Sequence, residues 1–164
     1  MTLDWTIYAC FGIGLSSALV AGTFQAFSDF VMRALIMAKP QGGIESMQLL
    51  NRTVYRSVFL IMLLGLAPLT LGFATYAYFS VSGPALYWIF GGTGIYCVFT
   101  FLVTMLGNVP MNNRLDGMDH LASETAAYWK VYGVGWTHWN HVRMFAALIT
   151  AICFLQAGLV LAIS

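Results

Sequence analysis

Residues 57–113 contain no charged side chain. A small water-soluble domain cannot bury so long an apolar run in its core, so the surplus must face lipid. Lipid offers no hydrogen bonds, and a helix is how a single segment satisfies its own backbone there. About 20 apolar residues cross a hydrocarbon layer of about 30 Å. The run is therefore two spans, divided at Ser82-Gly83-Pro84, where the chain is punctuated for a turn. Residues 5–28 and 144–164 are also free of charge, and over the whole chain 60% of residues are hydrophobic and 8% charged. These features predict an all-α membrane protein, one domain over 1–164 with four transmembrane helices at about 5–36, 57–79, 85–107 and 137–163.

The seven basic residues predict its orientation. Arg33, Lys39, Arg52 and Arg56 flank the first connection, and Arg114, Lys130 and Arg143 flank the third. With four spans both connections lie on one side, which the enrichment of Lys and Arg marks as cytoplasmic, leaving the termini and the 80–84 turn outside. No Lys or Arg precedes the first apolar run, and it is longer than a signal core, so it is expected to be retained. A net charge of +1 gives no basic surface for nucleic acid. Cys10, Cys97 and Cys153 fall within spans and read as packing residues.

Two helical segments are expected between the spans. Lys39-Pro40-Gln41-Gly42-Gly43 ends one helix before another begins over 44–55. Residues 119–132 gather Leu121, Ala122, Thr125, Tyr128, Trp129 and Tyr132 toward one face, the pattern of an amphipathic helix lying on the cytoplasmic membrane surface. Ala18 and Gly22, four apart in the first span, are small enough for a close helix contact.

Polar side chains near membrane depth are costly and therefore point to function. The first span ends with Gln25 and Asp29 one turn apart, followed by Arg33; the next helix carries Gln48, Asn51 and Arg52. The third span ends with Asn108 and Asn112 around Pro110, and the fourth begins with Trp136, His138, Asn140, His141 and Arg143. In the four-span topology all of these sit at one depth, so a shared pocket at the cytoplasmic end is expected. Each group also has a plain structural reading. Asp29 with an arginine locks helix ends, asparagines satisfy frayed backbone, and Trp129 and Trp139 form an interfacial belt. Six neutral amides at one depth favour the pocket, because amides offer both donors and acceptors to an organic ligand. His138 and His141 three apart, completed by His120 or Asp29, form an alternative set for a transition metal or haem.

Four stretches together resemble the anthrone oxygenase-like family of small membrane proteins. They are Thr23-Phe24-Gln25-Ala26-Phe27-Ser28-Asp29, Met47-Gln48-Leu49-Leu50-Asn51-Arg52, Leu106-Gly107-Asn108-Val109-Pro110-Met111-Asn112 and Trp136-Thr137-His138-Trp139-Asn140-His141-Val142-Arg143. The resemblance implies an oxygenase of the bacterial inner membrane that oxidises a flat, hydrophobic aromatic of anthrone type with molecular oxygen and no cofactor. Proton abstraction beside an aryl ketone is the step such chemistry asks of the protein. His141 is the expected base with Asp29 in reserve. Asn140, Asn108 or Asn51 would donate to the enolate oxygen, Arg143 would add positive potential, and Trp136 would stack on the ring, with Gln25, Gln48 and Asn112 completing the binding set. The competing readings are a metal or haem protein using His120, His138 and His141, and a non-catalytic accessory protein holding a lipid or quinone.

Overall fold

The computed structural model describes residues 2–163, with side chains from residue 5 onward. Among the described residues about 91% are helical and none forms a strand, and four of the five helices they form are long and apolar enough to cross a membrane. Helix α1 runs over Thr2–Ala26, passes through a π-helical turn at Phe27–Val31 and finishes as Met32–Met37. Helix α2 is Pro40–Val54, α3 is Val58–Ser80, α4 is Pro84–Asp116 and α5 is Ser123–Ala162.

Their ends follow from local chemistry. Pro40 and Pro84 open α2 and α4, where a missing N–H costs nothing because the first turn has no acceptor for it. Gly83 takes φ +78° in the turn before α4, a conformation glycine adopts without strain. Ser57 caps α3, its Oγ accepting from the Leu60 N–H at 3.2 Å.

α1 and α5 pack along their length, α4 covers the next face of α5, and α3 closes the bundle against α1 and α4. Hydrophobicity does not favour helix pairing inside lipid, so close approach and dispersion must do the work. Gly14 lies against Leu155, Gly158 against Phe11 and Gly92 against Phe154, where any added Cβ would collide. The expected small pair is not this contact: Gly22 has nothing within 4 Å of where a Cβ would stand.

Three helices are longer than a bilayer requires. α5 has 40 residues, roughly 60 Å at 1.5 Å each, against a hydrocarbon layer of about 30 Å. α1, α4 and α5 overshoot at the same end, the end carrying the basic residues, and α2 packs across them there. Met32, Ile44, Met47, Leu115, Trp129, Tyr132 and Trp136 form a second buried core at that end.

Two expectations are corrected here. The segment 119–132 is no separate surface helix, because α5 runs unbroken from Ser123 and its aromatic face turns inward to this core. The short amphipathic helix is α2, which buries Gly43, Ile44, Met47, Gln48 and Asn51 on one face. The third helix does not stop at residue 107. π-helical winding over Tyr96–Leu102 and Thr104–Asn108 widens the backbone just before Pro110, and the helix continues to Asp116. Counting apolar residues measures the hydrocarbon crossing, and nothing obliges a helix to end where its apolar content does.

Candidate functional site

A half-enclosed chamber of about 330 Å³ lies at the junction of the two cores. α1 contributes Thr23, Phe24 and Phe27; α2 contributes Met47, Leu50 and Asn51; α3 contributes Phe59, Leu60 and Leu63; α4 contributes Thr104, Asn112 and Asp116; α5 contributes Trp136 and Arg143. Its lining is mostly apolar, and Tyr55 and Asn113 stand exposed at its mouth.

Arg143 dominates the electrostatics. The residue is only 4% exposed, and no carboxylate among the described residues lies within 4.0 Å of it. Its guanidinium carbon stands 4.3 Å from the centre of the Phe24 ring and 5.3 Å from that of Trp136, where ring quadrupoles offset part of its desolvation. Nη2 donates to Oδ1 of Asn140 at 2.7 Å, and Nε makes no hydrogen bond.

Asn140 is consumed in holding this arrangement. Its Nδ2 donates to the Phe24 carbonyl at 2.7 Å and to Ser28 Oγ at 2.8 Å, so the amide clasps α1 immediately before and within its π-helical turn while fixing the arginine. Both hydrogens and Oδ1 are thereby spent, and Asn140 does not line the chamber. Asn108 is likewise fully buried at its margin, donating to the Trp136 carbonyl at 3.1 Å.

Asn112 is oriented by its neighbours. Oδ1 accepts from Trp136 Nε1 and from the Tyr132 hydroxyl, each at 2.8 Å. An indole N–H can only donate, so the oxygen must face it and the NH₂ group is left over as a donor. Asn51, 8% exposed, also lines the chamber.

Trp129, Tyr132 and Trp136 stack in sequence along α5, with ring centres 5.4 and 6.3 Å apart. Trp129 is therefore no belt residue: it is 3% exposed, inside the second core. Trp139 does face outward and covers Gly107. Gln48, expected to bind ligand, instead donates to the carbonyls of Leu115 and Met118, both at 2.8 Å, tying α2 to the end of α4 and the turn after it. Arg52 Nε bonds Asp116 Oδ1 at 2.7 Å across the rim, an exposed ion pair of about 0–1 kcal/mol that ties α2 to α4.

The expected single pocket is divided in two. Gln25, Asp29, His138 and His141 line a second, shallower groove between α1 and α5, together with Ser28 and Phe145, and none of the four lines the chamber. Asp29 and His141 are exposed on that face, so the expected base and its reserve are not beside Arg143, Asn51 or Asn112. His120 precedes α5 and sits 3.8 Å from Asp119, roughly 20 Å of helical rise from His138. Among the described residues no three His, Cys, Asp or Glu side chains gather as metal ligands, so the set of His120 with His138 and His141 is not assembled. The sequence reading passed over Phe24, Thr104 and Tyr132 as site residues. Tyr132 carried a usable signal, since Trp129, Tyr132 and Trp136 recur at helical spacing.

A family model described as anthrone oxygenase matches residues 52–153, more than half of the chain. The chain belongs to the anthrone oxygenase family. The matched region holds Asn108, Asn112, Trp136, Asn140 and Arg143, while this anthrone oxygenase family member draws Phe24, Phe27, Met47 and Asn51 from α1 and α2, before the match begins. No curated protein and no solved structure matches the chain.

Proposed function

We propose that this family member is a membrane-embedded oxygenase that converts a flat, hydrophobic aromatic of anthrone type to its quinone with molecular oxygen, in the chamber, and that the basic end faces the cytoplasm of a bacterial cell. The observation that carries the reading is Arg143: a guanidinium buried beside an apolar chamber with no carboxylate partner among the described residues. Burying an unpaired charge costs several kcal/mol, and an anion formed on a ligand offsets that cost. The chemistry balances without a cofactor. An anthrone loses a proton from the carbon opposite its ketone, the enolate passes one electron to O₂, the two radicals join as a peroxide, and loss of water leaves the second carbonyl. Arg143 and the Asn112 NH₂ group stabilise the oxyanion, Phe24, Phe27 and Trp136 hold the rings, and Asn140 positions Arg143. The proton leaves by the mouth, where the Asp116 carboxylate stands.

The test is oxygen consumption by the protein in lipid nanodiscs supplied with an anthrone. One O₂ should disappear per quinone formed, well above the protein-free rate. A protein that binds the anthrone but consumes no oxygen would return the chamber to the reading of a non-catalytic lipid or quinone binder. His141→Ala separates the two cavities. Because His141 lies in the outer groove, its loss should leave the rate within about twofold, and a loss of a hundredfold would move the chemistry to that groove.

A further inference from the structure

The chamber is bonded shut at its basic end and open at its side. At that end α2 is tied to α4 and the turn after it by Gln48, which donates to the Leu115 and Met118 carbonyls, and by Arg52, which holds Asp116 at 2.7 Å. Between α3 and α4 the packing stops short of this level. The two helices are joined where the Thr93 hydroxyl donates to the Thr70 carbonyl at 3.3 Å and the Tyr96 hydroxyl donates to the Leu63 carbonyl at 2.9 Å. From Tyr96 onward α4 takes up its π-helical winding, and α3 packs against residues 84–102 of α4 but not against 104–116. Leu60 and Leu63 on one helix and Thr104 and Val109 on the other line the chamber across this divergence. Leu60 and Val109 are also partly exposed, so each faces both the cavity and the outside. One turn away on the same faces, Leu64 and Met105 are 38% and 42% exposed, which makes the edges of the gap aliphatic.

Depth decides what the gap opens onto. α3 is the one spanning helix that does not overshoot: its 23 residues rise about 35 Å, against a hydrocarbon layer of about 30 Å. Its start therefore marks the edge of the hydrocarbon, and from Ser57 to Leu63 the gap climbs about 9 Å inward. An opening with aliphatic edges at that depth faces acyl chains. We propose that the chamber exchanges its ligand with the bilayer through this slot, a lateral portal between α3 and α4 whose specificity-determining residues are Leu60 and Val109. This rests on the reading of the chamber as the ligand site and not on its oxygen chemistry. Ligands are selected first by partition into hydrocarbon and then by thickness, a flat ring passing edge-on between the two side chains. The same ring carrying a fixed charge stays in water and is refused, although Arg143 would attract an anion once inside. The product leaves by the same slot into the same leaflet, so the reaction that consumes it acts on a lipid-dissolved molecule.

The probe is 9,10-anthraquinone, with its water-soluble 2-sulfonate as the comparison. In a protein whose outward-facing Trp5, Trp88 and Trp139 are replaced by Phe, quenching of fluorescence reports arrival beside Trp136 at the chamber wall. In nanodiscs the neutral ring should quench at a rate that follows its mole fraction in the lipid, and the sulfonate added from water should enter about tenfold more slowly or less. Leu60→Phe combined with Val109→Phe narrows the slot and should slow association and dissociation together by about tenfold, with equilibrium affinity within about threefold. Leu60→Ala widens it and should speed both. Arg52→Gln unties the closed end and should leave both rates within about twofold. The proposal is overturned if the neutral ring does not reach Trp136, if the sulfonate enters as fast, or if Arg52→Gln speeds entry. A change in affinity without a change in rates at Leu60 and Val109 overturns it as well. No turnover is involved, so absent oxygen uptake with an anthrone in the same samples would remove the oxygenase and leave the portal standing.

Discussion

Replacing Arg143 with Met should lower anthrone-dependent oxygen consumption by about 10²–10³-fold, the usual effect of removing one preorganised oxyanion donor. Met nearly fills the volume left by the guanidinium stem, so the change removes charge more than shape. Stability has opposing terms. The variant is relieved of a buried cation that has no carboxylate partner among the described residues, which favours the fold. It also leaves Asn140 Oδ1 without the donor now 2.7 Å away, which costs about 1–3 kcal/mol. The midpoint of thermal unfolding in detergent is therefore expected to stay close to wild type. Loss of activity in a protein that remains folded is the signature of a group acting on the substrate. An Arg143→Met protein that consumes oxygen at the wild-type rate would sink the proposed mechanism.

The second large effect concerns the scaffold. A Cβ on Gly43 would stand 2.3 Å from the Leu35 carbonyl oxygen and 3.3 Å from the Trp129 ring. Backbone cannot move aside as a side-chain tip can, so Gly43→Ala must push α2 away from the end of α1. Forced overpacking of this kind costs about 1–3 kcal/mol, equivalent to a fall of about 5 °C in the unfolding midpoint. Since α2 carries Met47 and Asn51 into the chamber, activity should fall together with stability. Gly42→Ala is the matched comparison. Nothing lies within 4 Å of a Cβ there, and alanine favours a helix over glycine by about 1 kcal/mol, so that variant should be as stable as wild type or more so. Equal midpoints for the two variants would show that α2 is not seated as closely as described.

Much of the site was legible in the sequence as a set of residues at one depth, and less of it as an arrangement. Asn51, Asn112, Trp136 and Arg143 do meet at one chamber, and their predicted depth was enough to nominate them. Depth says nothing about which side of a helix a residue occupies relative to neighbours the sequence does not name. Asp29 and His141 share that depth, yet α1 and α5 turn them to the outer groove, where they are exposed. Gln48 shares it too, but the C-terminus of α4 needs its amide more than a ligand does.

The sequence by itself determined that the chain would be four apolar helices with its basic residues at one end, because hydrocarbon thickness and the cost of unpaired backbone in lipid depend only on local composition. The family followed from the order of its motifs. Only the tertiary structure decided that α5 continues inward as a stacked aromatic column, that α2 closes the basic end, and that Arg143 has no carboxylate beside it among the described residues. Those outcomes depend on how helices rotate about their own axes when they pack, and a rotation of about 100° per residue separates a chamber wall from a lipid-facing groove.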